Sequence, residues 1–157
     1  MSASDRAATV HRLLGQESQG VLCTLSQKHD GWPFGSVTPY ALTASGEPLI
    51  LVSELAEHTR NLRADPRVSL FIQDSANAAN PQAGARLTLM GLAAPVSESE
   101  YADAAQRYLQ RFPEAHLNFQ LGDFTLFKIE VRQARFIGGF GEMGWVQRED
   151  LMTSSRT

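Results

Sequence analysis

Cysteine is almost missing. Cys23 stands alone in the chain, so no internal disulfide can form, and in the apolar run GVLCTLS it reads as a small buried thiol rather than a nucleophile. No apolar stretch approaches the ~20 residues of a membrane-spanning helix. The opening MSASDRAATVHRLL has an early acidic residue and helical spacing where a secretory leader has a basic start and an apolar core. A cytoplasmic protein with no membrane partner is expected. An excess of positive charge is lacking too: the net charge is −3 and the basic residues are scattered, which argues against nucleic acid as a partner. His11, His29, His58 and His116 lie far apart and form no ligand pair, so no metal site is expected.

What is present is the balance of an ordinary globular chain, with 43% hydrophobic and 20% charged residues in a length of 157. That length fits one domain over 1–157. Ala7, Val10, Leu13 and Leu14 fall on one helical face behind Ser2, Ser4 and Asp5, which can cap it. The stretch from Gly20 to Leu55 then alternates apolar β-rich runs with KHDGWP and TASGEP, whose turn residues predict an antiparallel meander. HTRNLRADPR predicts a short helix ending at Asp65, before Pro66. VSLFIQD and RLTLMGLAAPV predict strands joined by the loop SANAANPQAGA, and Gly91 marks a bulge. SESEYADAAQRYLQRF predicts a helix with Ser97 and Glu100 as a capping box, and DFTLFKIEVRQARFIGG a long final strand. Six strands with short turns and two substantial helices exclude a parallel sheet and favour a small antiparallel β-barrel with flanking helices.

Gly139, Gly141 and Gly144 have the spacing G-x-G-x-x-G of a dinucleotide-binding turn. That motif works when it opens a helix that returns to another strand and a distant carboxylate, and WVQREDLMTSSRT supplies neither. The glycines, with Gly138, are expected to turn the backbone sharply and lie against another surface, with Phe140 and Trp145 packing there.

In this order the pieces GVLCTLS, GWPFGSVTPYAL, PLILVSELAEHTRNLRADPRVSLFI, ARLTLMG and GDFTLFKIEVRQARFIGGFG resemble the flavin-binding split barrels related to pyridoxamine 5′-phosphate oxidase. HTRNL, DPRVSL, RFP and GGFG are similar to its haem-utilisation branch. The resemblance implies a mainly β (α+β) fold, a six-stranded antiparallel split β-barrel with flanking helices. It also implies a homodimer with flavin mononucleotide (FMN) held in two clefts along the interface, acting as an oxidoreductase on a small-molecule ligand.

Such a cofactor needs donors for a phosphate dianion and a flat apolar slot. Ser53, His58, Thr59, Arg60 and Asn61 gather strand-end and helix-start donors suited to an anion; a solvated helix capped by Ser53 is the plainer alternative. By resemblance, Arg86 and Thr88 complete the phosphate shell, and Ser36, Val37, Thr38 and Tyr40 line the flavin ring. For these the plainer reading is a surface arginine and ordinary barrel residues. The oxidase's Arg-x-His pair is missing from VRQARFIGG, which argues against vitamin B6 oxidation, and the extra C-terminal domain of haem-degrading members has no counterpart after GGFGEMGW. Three functions remain: an FMN-dependent oxidoreductase with catalytic residues unassigned; as an alternative, a haem-binding or haem-degrading protein; and a non-catalytic dimeric binding module.

Overall fold

The computed structural model describes residues 2–139 and 141–153. Among them, runs with every second side chain turned inward form β1 (Gln19–Leu25), β2 (Pro33–Pro39), β3 (Ala41–Leu42), β4 (Pro48–Ser53), β5 (Arg67–Gln73), β6 (Arg86–Pro95), β7 (Phe124–Ile137) and β8 (Met143–Gln147). All pairs are antiparallel, in the order β2-β1-β5-β6-β7-β4-β3, with β8 also on β7. The sheet curls around Leu22, Ile50, Leu70, Leu89, Phe127 and Phe136, all fully buried. The chain therefore adopts the β-rich split-barrel architecture expected of it, with two refinements. Tyr40 interrupts the second predicted strand and sets off the two-residue β3, and the glycine-rich segment supplies β8.

The sheet has a seam, since β2 and β3 end the ladder without pairing to each other. Helix α2 (Glu57–Ala64) clasps it. Helix α1 (Ala3–Gln16) contributes Ala7, Val10, Leu13 and Leu14 to the same core, and Ser2 and Asp5 form its capping box. Helix α3 (Glu98–Arg111) lies over the outer face of β3, β4 and early β7, where Ala104 and Tyr108 meet Ala41, Leu49 and Leu126. The expected capping box of α3 is not formed, because Ser97 makes no cap hydrogen bond and Glu100 instead takes a hydrogen bond from Lys128 Nζ at 2.8 Å. A long-range charge partner outcompetes the local one. Helices α4 (His116–Gln120) and α5 (Arg148–Thr153) complete the fold.

β7 is shared between the two halves of the barrel. One edge pairs with β6; the other pairs with β4 at residues 124–128 and with β8 at residues 133–137. In the gap between them, Val131 N donates to Glu47 Oε2 at 2.9 Å, while Arg148 Nη1 donates to Glu47 Oε2 at 2.8 Å and to Val131 O at 2.6 Å. A buried ion pair thus satisfies backbone groups that lack a ladder partner there. The expected bulge is present: the β6–β7 register shifts between Met90 and Gly91, and a Cβ at Gly91 would meet Glu130 O at 2.2 Å. Only glycine fits that approach.

Candidate functional site

Residues of α2 clasp the seam through their polar atoms. Thr59 Oγ1 donates to Ser53 O at 2.6 Å, Asn61 Nδ2 donates to Thr24 Oγ1 at 3.0 Å, and Asn61 Oδ1 accepts from Gln27 N at 3.0 Å. Both side chains are fully buried, and these bonds tie α2 to β4, to β1 and to the turn after it. His58 Nδ1 lies 3.2 Å from Ser36 Oγ, which joins α2 to β2. Burial pushes the His58 imidazole below its ordinary value, because desolvation disfavours the charged ring.

The remaining candidates are dispersed. Ser53 Oγ accepts from Leu55 N at 3.2 Å. Tyr40 carries its ring into the core, where its hydroxyl donates to Leu14 O at 2.7 Å and Arg111 sits 5.0 Å above the ring; burial drives its pKa far up. Thr38 is buried as well, and Val37 points outward with 66% of its surface exposed. Arg86 Nη1 donates to Pro81 O at 2.9 Å. Arg86 and Thr88 lie on β6, three ladder steps from β2, or about 14 Å at ordinary strand spacing. They also face outward, whereas Ser36 pairs with the fully buried Leu22. The structure therefore brings Ser36 to His58 and Ser53 to Thr59, and leaves Arg86 and Thr88 apart from both. Within one protomer these donors do not converge on a single anion.

A different feature occupies the outer sheet face that α3 leaves uncovered. Ladder registers align Val37, Val21, Phe71, Thr88, Arg135 and Trp145 in one row across six strands. The neighbouring row runs through Gly35, Cys23, Ser69, Met90 and Gln133. Beside it lies an apolar groove of about 470 Å³, lined by Cys23, Leu25, Pro33, Met90 and Leu92, with Arg67 and Arg132 among its walls. Arg67 Nη2 meets Asp65 Oδ2 at 2.6 Å and holds that carboxyl down at about 2; Arg132 meets Glu130 at 3.2 Å. Both guanidiniums remain largely exposed. The sequence signal for this groove is the apolar outward set Val21, Cys23 and Leu25 of GVLCTLS, since a strand with a solvated face carries polar residues there.

The segment with the dinucleotide-like spacing forms the β7–β8 hairpin. Gly138 N donates to Glu142 O at 2.7 Å, Gly139 and Gly141 have φ of 74° and 83°, and a Cβ at Gly144 would meet the Arg6 guanidinium at 2.5 Å. These are turn and close-approach glycines, as expected. Trp145 lies half exposed with Arg135 5.6 Å over its ring, and Phe140 falls outside the described residues. Among the described residues no group of His, Cys, Asp and Glu can hold a metal ion, and no helix is long and apolar enough to cross a membrane.

Comparison with known proteins identifies the family and the fold. The haem oxygenase HOZ of Arabidopsis thaliana, a chloroplastic protein, is 40% identical over 120 residues, which is 76% of this chain and 36% of that protein. Haem oxygenase HutZ of Vibrio cholerae is 34% identical over 126 residues, 78% of this chain and 71% of that one. A haem-binding protein from Mycobacterium smegmatis has a similar structure, with a TM-score of 0.87 and 32% identity over 98% of this chain and 61% of the other. The chain thus spans about a third of the plant relative and under two thirds of the mycobacterial one. A protein of the pyridoxinephosphate oxidase family from Clostridium acetobutylicum, at 10% identity and a TM-score of 0.69, shares the fold alone. The family model described as CREG, beta-barrel matches residues 1–153, and the chain belongs to that family of split barrels, which here shares its fold with the pyridoxamine 5′-phosphate oxidases and its sequence with haem-utilisation proteins.

Proposed function

We propose that this protein binds haem as a homodimer and acts on it in the manner of a haem oxygenase. The observation that carries this reading is the apolar groove on the uncovered sheet face, with Arg67 and Arg132 in its walls. A porphyrin is a broad apolar plate with two carboxylates on one edge, and its recognition calls for an apolar slot with cations at the rim. The residues present fit that requirement. Leu25, Met90 and Leu92 supply the apolar wall, and the two guanidiniums can exchange their exposed carboxylate partners for those of the ligand. Bound haem would supply the iron for its own oxidation; the chain's part is to hold the plate, orient its carboxylates and keep water from it.

The second copy follows from the same face. Val21, Val37, Phe71, Leu92 and Trp145 leave apolar surface for which the fold has no cover, and a homodimer formed here encloses the groove between subunits. FMN, in contrast, needs free phosphate donors, and the polar atoms of Thr59 and Asn61 already have partners.

The test is parallel titration of the purified protein with hemin, FMN and riboflavin. The expected result is a saturable Soret change at one hemin per chain, with FMN showing no advantage over riboflavin. Selective FMN binding without hemin saturation would return the flavin oxidoreductase to first place. Hemin that binds but survives reductant and oxygen unchanged would keep haem binding and remove haem degradation, leaving a binding module.

A further inference from the structure

On the same uncovered sheet face, toward the start of β1, lies a smaller hollow of about 230 Å³, whose lining includes Glu17, Gln19, Gln73 and the outward Val21, Val37 and Phe71. Its carboxylate lacks a counter-charge. Glu17 follows α1, is 8% exposed and is fixed in place: its backbone carbonyl accepts from Arg111 Nη2, and its Oε1 accepts from Ser75 N and Ser75 Oγ, each at 3.0 Å. Among the described residues its other carboxylate oxygen takes no hydrogen bond, and no cation forms an ion pair with it. A carboxylate so far out of water is costly without an opposite charge.

The same face carries the complementary surplus. Arg135, on β7, lies 5.6 Å over the Trp145 ring and forms no ion pair among the described residues. Three ladder steps separate it from β1, where the hollow opens, or about 14 Å at ordinary strand spacing, which leaves the pair open within one chain. Two copies can close it. In a two-fold contact the same patch meets itself in reverse. The outward row runs Val37, Val21, Phe71, Thr88, Arg135 and Trp145, and a two-fold axis along the strands through its middle lays the fifth position over the second. That sets the partner's Arg135 over Val21, in the wall of the Glu17 hollow. We propose that in the homodimer Glu17 of each copy is paired by the partner's Arg135, which enters the hollow beside Val21 and Phe71. This rests on the homodimer reading and deepens it by naming the charges that fix how the two faces align, since an apolar face gives area and a charge pair gives register.

The experiment is sedimentation equilibrium of the purified protein as wild type, Glu17→Arg, Arg135→Glu, an equimolar mixture of those two variants, and the chain carrying both, with circular dichroism to check folding. Each reversal alone sets like charges against each other twice and is expected to weaken the dimer by about tenfold or more. The mixture and the double variant restore opposite charges at both positions. Both are expected to regain the dimer, the mixture as a one-to-one heterodimer. Glu17→Gln keeps an acceptor for Ser75 and tests the same pair without burying a new cation. It and Arg135→Gln are each expected to weaken the dimer, and together by less than the product of their separate effects. A wild-type dimer whose dissociation constant the single variants leave within about twofold, or a mixture that associates no better than its parts, overturns the pairing and leaves the homodimer standing. A wild type that sediments as a monomer removes both.

Discussion

At the scale of single residues, the same side chains serve chemistry or architecture according to what lies opposite them in space. HTRN offers a hydroxyl, an imidazole, a guanidinium and an amide within four positions, and from sequence that local wealth of donors reads as an anion site. The partners of Thr59, His58 and Asn61, namely Ser53, Ser36, Thr24 and Gln27, lie between 6 and 37 positions away, so the clasp across the barrel seam was not legible from the local pattern. His58 shows the consequence for pH. Its folded pKa lies below its ordinary 6.5, so the unfolded chain binds the proton first as pH falls. The stabilising contribution is present in full above about 6.5 and is lost as pH drops through that value toward the folded pKa. Urea unfolding between pH 7.5 and 5 is expected to show a steeper acid-side loss of stability in wild type than in His58→Gln. Parallel curves would show that this ring is not desolvated in the folded protein.

At the scale of elements, periodicity was a good guide where one face alone is buried. The stripe of α1, the run of α3 before Pro113 and the alternation of β7 were all readable in advance, and so was the bulge at Gly91. β8 was not, because Gly144 dilutes its pattern and its pairing depends on a hairpin whose tight turn glycine permits. The joint between β4 and β8 was equally hidden, since Glu47 and Arg148 meet across 101 positions of sequence. Removing the carboxylate leaves Val131 N without an acceptor and leaves Arg148, about a third of it exposed, with Val131 O and solvent. Glu47→Ala is therefore expected to cost about 1–3 kcal/mol, the range for a buried donor left unsatisfied, as read by chemical denaturation. A loss under about 1 kcal/mol would mean that water replaces the carboxylate and that the joint does not depend on this pair.

At the scale of the whole molecule, the curled sheet has a covered and an uncovered outer half. α3 shields β3, β4 and early β7, while β1, β5, β6, later β7 and β8 present their apolar outer rows and the groove. The order of motifs along the chain identified the split barrel, because such a fold is fixed by the succession of strands and turns. Which ligand it holds depends on side chains from strands that meet only once the sheet has curled, such as Cys23 beside Ser69 and Met90 across three strands. Haem at that face joins cofactor, groove and assembly in one claim. The most direct test is sedimentation velocity of the hemin-loaded protein with detection at 280 nm and at the Soret wavelength, for wild type and for Met90→Glu, which places a carboxylate in the groove wall. In wild type the Soret boundary is expected to travel with a dimer at one hemin per chain, and in Met90→Glu the folded protein is expected to sediment without it. A wild-type monomer, or a Soret boundary that Met90→Glu leaves unchanged, would contradict the placement of haem in this groove between two copies of the chain.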